Sequence, residues 1–126
     1  MPEPASRARR GQSGEAHARA WLEGRGYHLV TRNWHCHAGE LDLVMLDGDE
    51  LVFVEVKTRT GERLGRASEA VSAAKRHRIL SSAEWFLSAH PDYQEMIWRC
   101  DIVAVTIDPR TGDARVDHFV NALLAS

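Results

Sequence analysis

Hydrophobic and polar positions along the chain follow two periods, one typical of helices and one of strands. Apolar residues recur at helical spacing from Ser13, a suitable N-cap, to Arg25, and residues 1–12 before them read as a flexible tail. A second helical pattern runs from about Glu69 to Ala89 and ends before Pro91. The segments rich in strand-forming residues are 27–33, 40–46, 51–57, 97–107 and 114–120.

The order of elements is therefore α-β-β-β-α-β-β, in a single domain over residues 13–126. Three successive strands should form an antiparallel meander, and the second helix should cross over to add the next strand to the same sheet. We predict an α/β fold, a mixed β-sheet of about five strands flanked by helices. The length of 126 residues suits one domain of this kind.

The hairpin between residues 40 and 57 carries the candidate chemistry. Its turn is Asp47-Gly48-Asp49-Glu50, and a loop of two or four residues gives a register in which paired positions sum to 97. Asp42 then lies opposite Glu55, and a three-residue loop would break this pairing. In the same register one face is wholly apolar: Leu41, Leu43, Met45, Val52, Val54 and Val56.

Asp42 and Glu55 need an explanation, because like charges directly opposite destabilise a strand pair. One carboxyl can be protonated, a cation can lie between them, or Lys57 and a nearby arginine can neutralise them. Two carboxylates suit Mg²⁺ or Mn²⁺, and Lys57 on the same side is placed to orient water or to stabilise charge on a phosphate. A salt-bridged sheet end explains the same residues without any ligand.

Charge and cysteine content change this picture only locally. The net charge is −2, yet the stretch from Lys57 to Arg78 has a local charge of +5, which suits either a phosphate-facing surface or a solvated one. The residues expected to contact nucleic acid are Lys57, Arg59, Arg63, Arg66 and Lys75. Two free thiols, Cys36 and Cys100, with neither a signal peptide nor a membrane span, predict a cytoplasmic protein.

Several short motifs together resemble one known family. They are Gly14-Glu15, Gly26-Tyr27, Asn33, Gly39-Glu40-Leu41-Asp42-Leu43, Phe53-Val54-Glu55-Val56-Lys57-Thr58-Arg59, Val71 with Lys75, Arg99 with Asp101, and Asn121-Ala122. This combination is similar to the YraN-like family, which is related to the restriction-endonuclease-like (PD-(D/E)xK) superfamily and to archaeal Holliday-junction resolvases.

The resemblance implies a restriction-endonuclease-like core and a Mg²⁺-dependent endonuclease that acts on DNA phosphodiesters, including branched DNA. It implies metal ligation by Asp42, Glu55 and the backbone carbonyl of Val56, with Lys57 as the catalytic lysine. Glu15, which tilts toward the core side of its helix, would lie near the metal through water. Resolving a junction would also require a homodimer, because two symmetric cuts are made.

One segment departs from the family pattern and favours a second function. His35-Cys36-His37 stands where relatives often carry arginines, which weakens phosphate contact there at neutral pH. Zinc is not expected, because strand alternation points Cys36 away from both histidines. The alternative function is a non-catalytic nucleic-acid-binding or adaptor protein that retains the nuclease fold, and a purely structural domain is a third interpretation.

Overall fold

The computed structural model describes residues 3–60 and 72–122, with side chains from Gly14 onward. Helices and strands follow one another there in the predicted order. The elements are α1 (Glu3–Gly24), β1 (His28–Cys36), β2 (Gly39–Asp47), β3 (Glu50–Thr60), α2 (Ala73–Ala89), β4 (Ile97–Ile107) and β5 (Ala114–Phe119), and a short 3₁₀ turn at Pro91–Tyr93 lies between α2 and β4.

The strands form one mixed sheet in the order β1-β2-β3-β4-β5. The first three are antiparallel neighbours, β3 and β4 are parallel, and β5 returns antiparallel to β4. The parallel pair requires a crossover, because a tight turn cannot join two strands that run in the same direction. The connection that contains α2 makes that crossover, which confirms the predicted meander and the mixed sheet of five strands.

Helix α1 begins at Glu3, well before the N-cap that was predicted at Ser13. The predicted helix start at Ser13 is therefore wrong, because residues 3–12 continue the helix. Alanine and arginine are abundant in this segment, and both are strong helix formers. The predicted flexibility of these residues stays a prediction.

Three other boundaries differ because tertiary pairing and capping decide them. β1 continues to Cys36 by pairing with β2, beyond the predicted end at Asn33. β3 continues to Thr60 through pairing with β4, beyond the predicted strand end at residue 57. Helix α2 begins at Ala73, because the Ser72 side chain caps it by accepting the Lys75 N–H at 3.1 Å. The predicted helix start at Glu69 lies outside the described residues.

Each face of the sheet packs against one helix. The core on the α1 face comprises Ala18, Leu22, Tyr27, Leu43, Met45, Val52, Val54, Val103 and Val105. The core on the α2 face comprises Leu41, Val44, Leu51, Phe53, Ile79, Ala83, Phe86, Cys100 and Ile102. The central strands are thus covered on both sides, which explains their nearly continuous hydrophobic sequences. In the described part of the chain, neither helix is long and apolar enough to cross a membrane.

Candidate functional site

The β2–β3 hairpin has a two-residue turn, Gly48-Asp49, and the register that this turn predicts. Paired positions run from Asp47 opposite Glu50 to Leu43 opposite Val54, and each pair sums to 97. Gly48 adopts a φ of +60°, a left-handed conformation that costs glycine little. The ladder ends one position before Asp42 and Glu55, so these two acids lie where the strands stop pairing.

Both strand ladders around Asp42 are interrupted. The β1–β2 pairing joins Trp34 to Leu41 and Arg32 to Leu43 but skips Asn33 and Asp42 between them. Asn33 has a φ of +51°, which asparagine tolerates better than most residues. The irregularity leaves Asp42 outside the regular hydrogen bonding of the sheet.

Side-chain alternation also breaks at Asp42. Leu41 packs in the α2-face core and Leu43 in the α1-face core, although strict alternation would place both on one face. The predicted apolar face was therefore wrong for Leu41, because the sequence pattern assumed an uninterrupted strand. In place of a ladder bond, the backbone N–H of Val56 donates to Oδ2 of Asp42 at 2.8 Å.

The side chains of Asp42 and Glu55 lie close together. Glu55 is buried, with 7% of its surface exposed, and Asp42 is half-buried. Burial, followed by the negative charge of Glu55, raises the pKa of Asp42 to about 8, although the hydrogen bond from Val56 lowers it. Of the three ways to relieve the predicted repulsion, protonation of one carboxyl is therefore available to the protein.

A lysine neutralises the other acid, but it is not the lysine that the sequence suggested first. Nζ of Lys75, on α2, lies 2.7 Å from Oε2 of Glu55. Burial acts to lower the pKa of Lys75, but hydrogen bonds to Glu55 and Lys57 and the charge of Glu55 raise it. Burial lowers the pKa of Lys57, as do the hydrogen bond and charge of the neighbouring Lys75. Lys57 and Lys75 thus share one site with Glu55.

Lysine usage is the sequence signal that most directly marks this site. The chain holds 16 lysines and arginines, and only two of them, Lys57 and Lys75, are lysines. Both lie beside Glu55, although they are far apart in sequence and on different elements. All the other residues of this set are arginines, so the only two lysine ammonium groups of the sequence lie together at this site.

Helix α1 brings Glu15 to the opposite side of the acid pair. Gly14 is buried against the end of β3, where an added Cβ would lie 1.9 Å from Oγ1 of Thr58. This close approach requires glycine and places the next residue, Glu15, near the site. Burial raises the pKa of Glu15, a hydrogen bond with Asn33 lowers it, and the charges of Glu40 and Glu55 raise it further.

A cavity of about 220 Å³ opens on the α2 side of the acids. Two of the residues that line it, Glu40 and Arg78, were not predicted as site residues, although spacing could have suggested both. Glu40 precedes Asp42 by one strand repeat, and Arg78 lies one helical turn after Lys75. The full lining is Gly39, Glu40, Asp42, Glu55, Lys75, Arg78 and Ile79.

The predicted basic surface is only partly described. Arg59 is half-buried on β3, one strand repeat beyond Lys57. Arg63 and Arg66 lie outside the described residues, so their contact with nucleic acid stays a prediction.

The donor set around Asp42 suits an ion that keeps part of its water shell. Among the side chains of residues 14–60 and 72–122, no three His, Cys, Asp or Glu groups converge to hold an ion alone. Mg²⁺ usually takes one or two carboxylates and several waters. The N–H and C=O of a strand residue point toward the same neighbouring strand, so the Val56 carbonyl faces the Asp42 side of β3. Two carboxylates and one carbonyl therefore fit Mg²⁺ or Mn²⁺.

A second polar cluster lies toward the turn end of the hairpin and is structural in character. Asp101 is fully buried and accepts hydrogen bonds from Arg99 at 3.1 Å and from the Asn121 N–H at 2.8 Å, and His118 lies 2.7 Å away. Burial acts to raise the pKa of Asp101, but hydrogen bonds from His118, Asn121 and Arg99 lower it. The cluster fastens the end of β5 to β4, while Arg99 also contacts Tyr27, Asp47 and Glu50.

The sequence profile of the uncharacterised protein family UPF0102 matches residues 14–105. The chain belongs to this family. A UPF0102 protein of Roseiflexus castenholzii is 40% identical over 117 residues, which cover 93% of this chain and 94% of that protein. A UPF0102 protein of Beutenbergia cavernae is 46% identical over 109 residues, which cover 86% and 91%. The predicted YraN-like membership is thus confirmed at the level of the family, and the matched range includes the whole acid and lysine cluster.

Proposed function

We propose that this UPF0102 protein is a Mg²⁺- or Mn²⁺-dependent phosphodiester hydrolase with a restriction-endonuclease-like core, acting on DNA. The observation that carries the proposal is the convergence of Asp42 and Glu55 with the two lysines of the chain at one interrupted sheet end. The α-β-β-β-α-β order and the mixed sheet are compatible with such a core.

Asp42, Glu55 and the Val56 carbonyl are the residues that would hold the ion. A bound ion of this class supplies a Lewis acid for a phosphoryl oxygen and a water of lowered pKa. Asp42 would be held in place by the Val56 N–H, which already fixes one of its oxygens. Glu15 approaches from α1 and would orient water on the opposite side of the acid pair.

Lys57 is the residue placed to act on the substrate. Its side chain is half-buried beside Glu55 and Lys75, so its ammonium group would be poorly solvated and available to a phosphate oxygen. Such a group stabilises the negative charge that develops on the phosphate during attack. Arg59, followed along the chain by Arg63 and Arg66, would extend phosphate contact along the DNA backbone.

Cleavage assays with matched variants test the proposal. Duplex, single-stranded and branched DNA would be incubated with Mg²⁺, Mn²⁺ or chelator, using wild type, Asp42→Asn and Lys57→Ala. Loss of one charge-stabilising group should reduce the rate by at least ~100-fold, whereas Asp49→Asn in the exposed turn should leave it unchanged. A wild type as inert as Lys57→Ala on every substrate, with either metal, would refute the proposal.

The ion pair between Lys75 and Glu55 favours a second candidate function, a non-catalytic nucleic-acid-binding or adaptor protein. Because Lys75 neutralises Glu55, the site can keep its structure without a bound metal ion. This candidate predicts salt-dependent DNA binding that survives Asp42→Asn, with a log–log slope of about −0.9 per duplex phosphate contacted. Binding that is lost in Asp42→Asn and requires metal would exclude it.

Symmetric junction cutting would further require two copies of the chain, which sedimentation on junction DNA would detect.

A further inference from the structure

We infer that Lys75 is a built-in substitute for the divalent ion, pairing with Glu55 while no ion is bound and leaving it when an ion binds. The inference rests on the proposed function, because it takes Asp42 and Glu55 as the metal ligands. It gives Lys75 a positioning role, which is to pair with Glu55 until an ion binds. The basic stretch from Lys57 to Arg78 does not by itself reveal this role.

The first step is that the ammonium group and the ion would compete for the same carboxylate. Nζ of Lys75 lies 2.7 Å from Oε2 of Glu55, whose side chain is 9% exposed. A buried carboxylate without a partner is strongly destabilising, so Lys75 stabilises the folded metal-free protein. An ion held between Asp42 and Glu55 would lie within a few ångströms of Nζ, and the two positive charges would repel.

The second step is that Lys75 has an anchor and room to move. Its backbone N–H donates to the Ser72 side chain in the first turn of α2, which fixes the start of the side chain. The side chain itself is one-third exposed and lines the cavity of about 220 Å³ beside the acids. The ammonium group can therefore leave Glu55 by rotation of its own stem, without movement of the helix.

The third step concerns the choice of lysine. Arginine presents a planar fork that binds a carboxylate through two parallel hydrogen bonds, whereas lysine presents one compact charge on a flexible stem. Lysine is therefore the better choice for a group that pairs with Glu55 and must later be released. The chain uses arginine at every basic position except 57 and 75.

Two consequences follow for the proposed enzyme. Lys75 lowers the metal affinity below the value that the two carboxylates would reach alone. Once displaced, its ammonium group remains in the cavity and faces any phosphate that approaches the ion. Metal and nucleic acid would then each strengthen the binding of the other, because such coupling is reciprocal.

Calorimetric titration of Mn²⁺ into the full chain tests the inference. Lys75→Met, which keeps most of the stem but removes the charge, should bind Mn²⁺ roughly fivefold more tightly than wild type, the upper end of the range for a partly exposed ion pair. Lys75→Gln should act in the same direction, and Lys75→Arg should bind no more tightly than wild type. Arg78→Met is the charge-matched control, because Arg78 lines the same cavity, and it should change affinity by less than about threefold.

A second measurement follows Lys75 directly in wild type. Nitrogen-15 NMR of the lysine ammonium groups gives two signals, and the Lys75 signal is identified by its loss in Lys75→Met. Saturating Mg²⁺ should move the Lys75 signal, because the hydrogen bond to Glu55 is broken.

The outcomes separate this inference from the proposed function. If wild type binds metal and Lys75→Met binds it equally or more weakly, the inference about Lys75 is overturned and the proposed function is not. An unmoved Lys75 signal at saturating Mg²⁺ does the same, and if the variants fail to fold, two ammonium signals that both stay unmoved do so. Absence of binding by wild type and by every folded variant at millimolar metal overturns both proposals.

Discussion

Replacing Asp42 by asparagine should remove a pH-dependent loss of stability that the metal-free wild type shows. Burial and the charge of Glu55 raise the pKa of Asp42 to about 8 in the folded protein, against about 3.9 in an unfolded chain. The folded state therefore retains a proton that the unfolded state releases. Stability is greatest below the unfolded pKa and falls as the pH rises through the folded pKa.

The size of the effect follows from the interval between two test conditions. From about pH 5 to about pH 8 the folded carboxyl stays largely protonated while the unfolded one is ionised, so three pH units cost at most about 4 kcal/mol. Water reaches the half-buried carboxyl and screens its charge, so we expect about 2–4 kcal/mol. Asparagine stays neutral throughout and can still accept a hydrogen bond from the Val56 N–H. The Asp42→Asn variant should therefore lose none of this free energy of unfolding between the two pH values.

Urea denaturation in the presence of a chelator measures the difference. The free energy of unfolding would be determined at about pH 5 and pH 8 for wild type, Asp42→Asn and Asp49→Asn, an exposed control in the hairpin turn. The difference between wild type and Asp42→Asn should change with pH, whereas that between wild type and Asp49→Asn should not. Equal pH dependence in wild type and Asp42→Asn would refute the assignment of a half-buried, protonated Asp42.

Three further predictions concern the metal and the packing. Mg²⁺ should raise the thermal midpoint more at about pH 8 than at about pH 6, because ligation of the acid pair releases the Asp42 proton. Gly14→Ala should cost about 1–3 kcal/mol in urea unfolding, since its Cβ would meet Oγ1 of Thr58 at 1.9 Å, and Thr58→Ala should restore part of that loss. Arg99→Met should cost about 3–5 kcal/mol, because it removes a partner of the fully buried Asp101.

Matched variants control the packing predictions. Gly24→Ala has nothing within 4 Å of the new Cβ, so it should be neutral or slightly stabilising. Arg115→Met breaks a surface pair with Asp117, with N and O atoms 3.7 Å apart, and should cost less than about 1 kcal/mol. If Gly14→Ala is as stable as Gly24→Ala, or Arg99→Met is as stable as Arg115→Met, the packing described is contradicted. A Mg²⁺ effect on the thermal midpoint that does not depend on pH would contradict release of the Asp42 proton on metal binding.

The sequence alone determined the features that rest on short-range rules. The turn Asp47-Gly48-Asp49-Glu50 sets the hairpin register, because a two-residue loop with glycine in a left-handed conformation permits few pairings. The register in turn places Asp42 and Glu55 at neighbouring positions. Hydrophobic periodicity and the expected helical crossover were enough to predict the mixed sheet and the addition of β4 to it, but not its position beside β3.

Only the tertiary structure decided how the site is neutralised and where the regular pattern fails. Lys75 reaches Glu55 from another element, and Gly14 lets α1 approach Thr58, so both contacts depend on how the helices pack onto the sheet. The break in alternation at Asp42 arises from two interrupted ladders, which no local pattern of polar and apolar residues encodes. Sequence periodicity assigns faces only while a strand stays regular, and here the strand becomes irregular at the acid that we propose binds the metal.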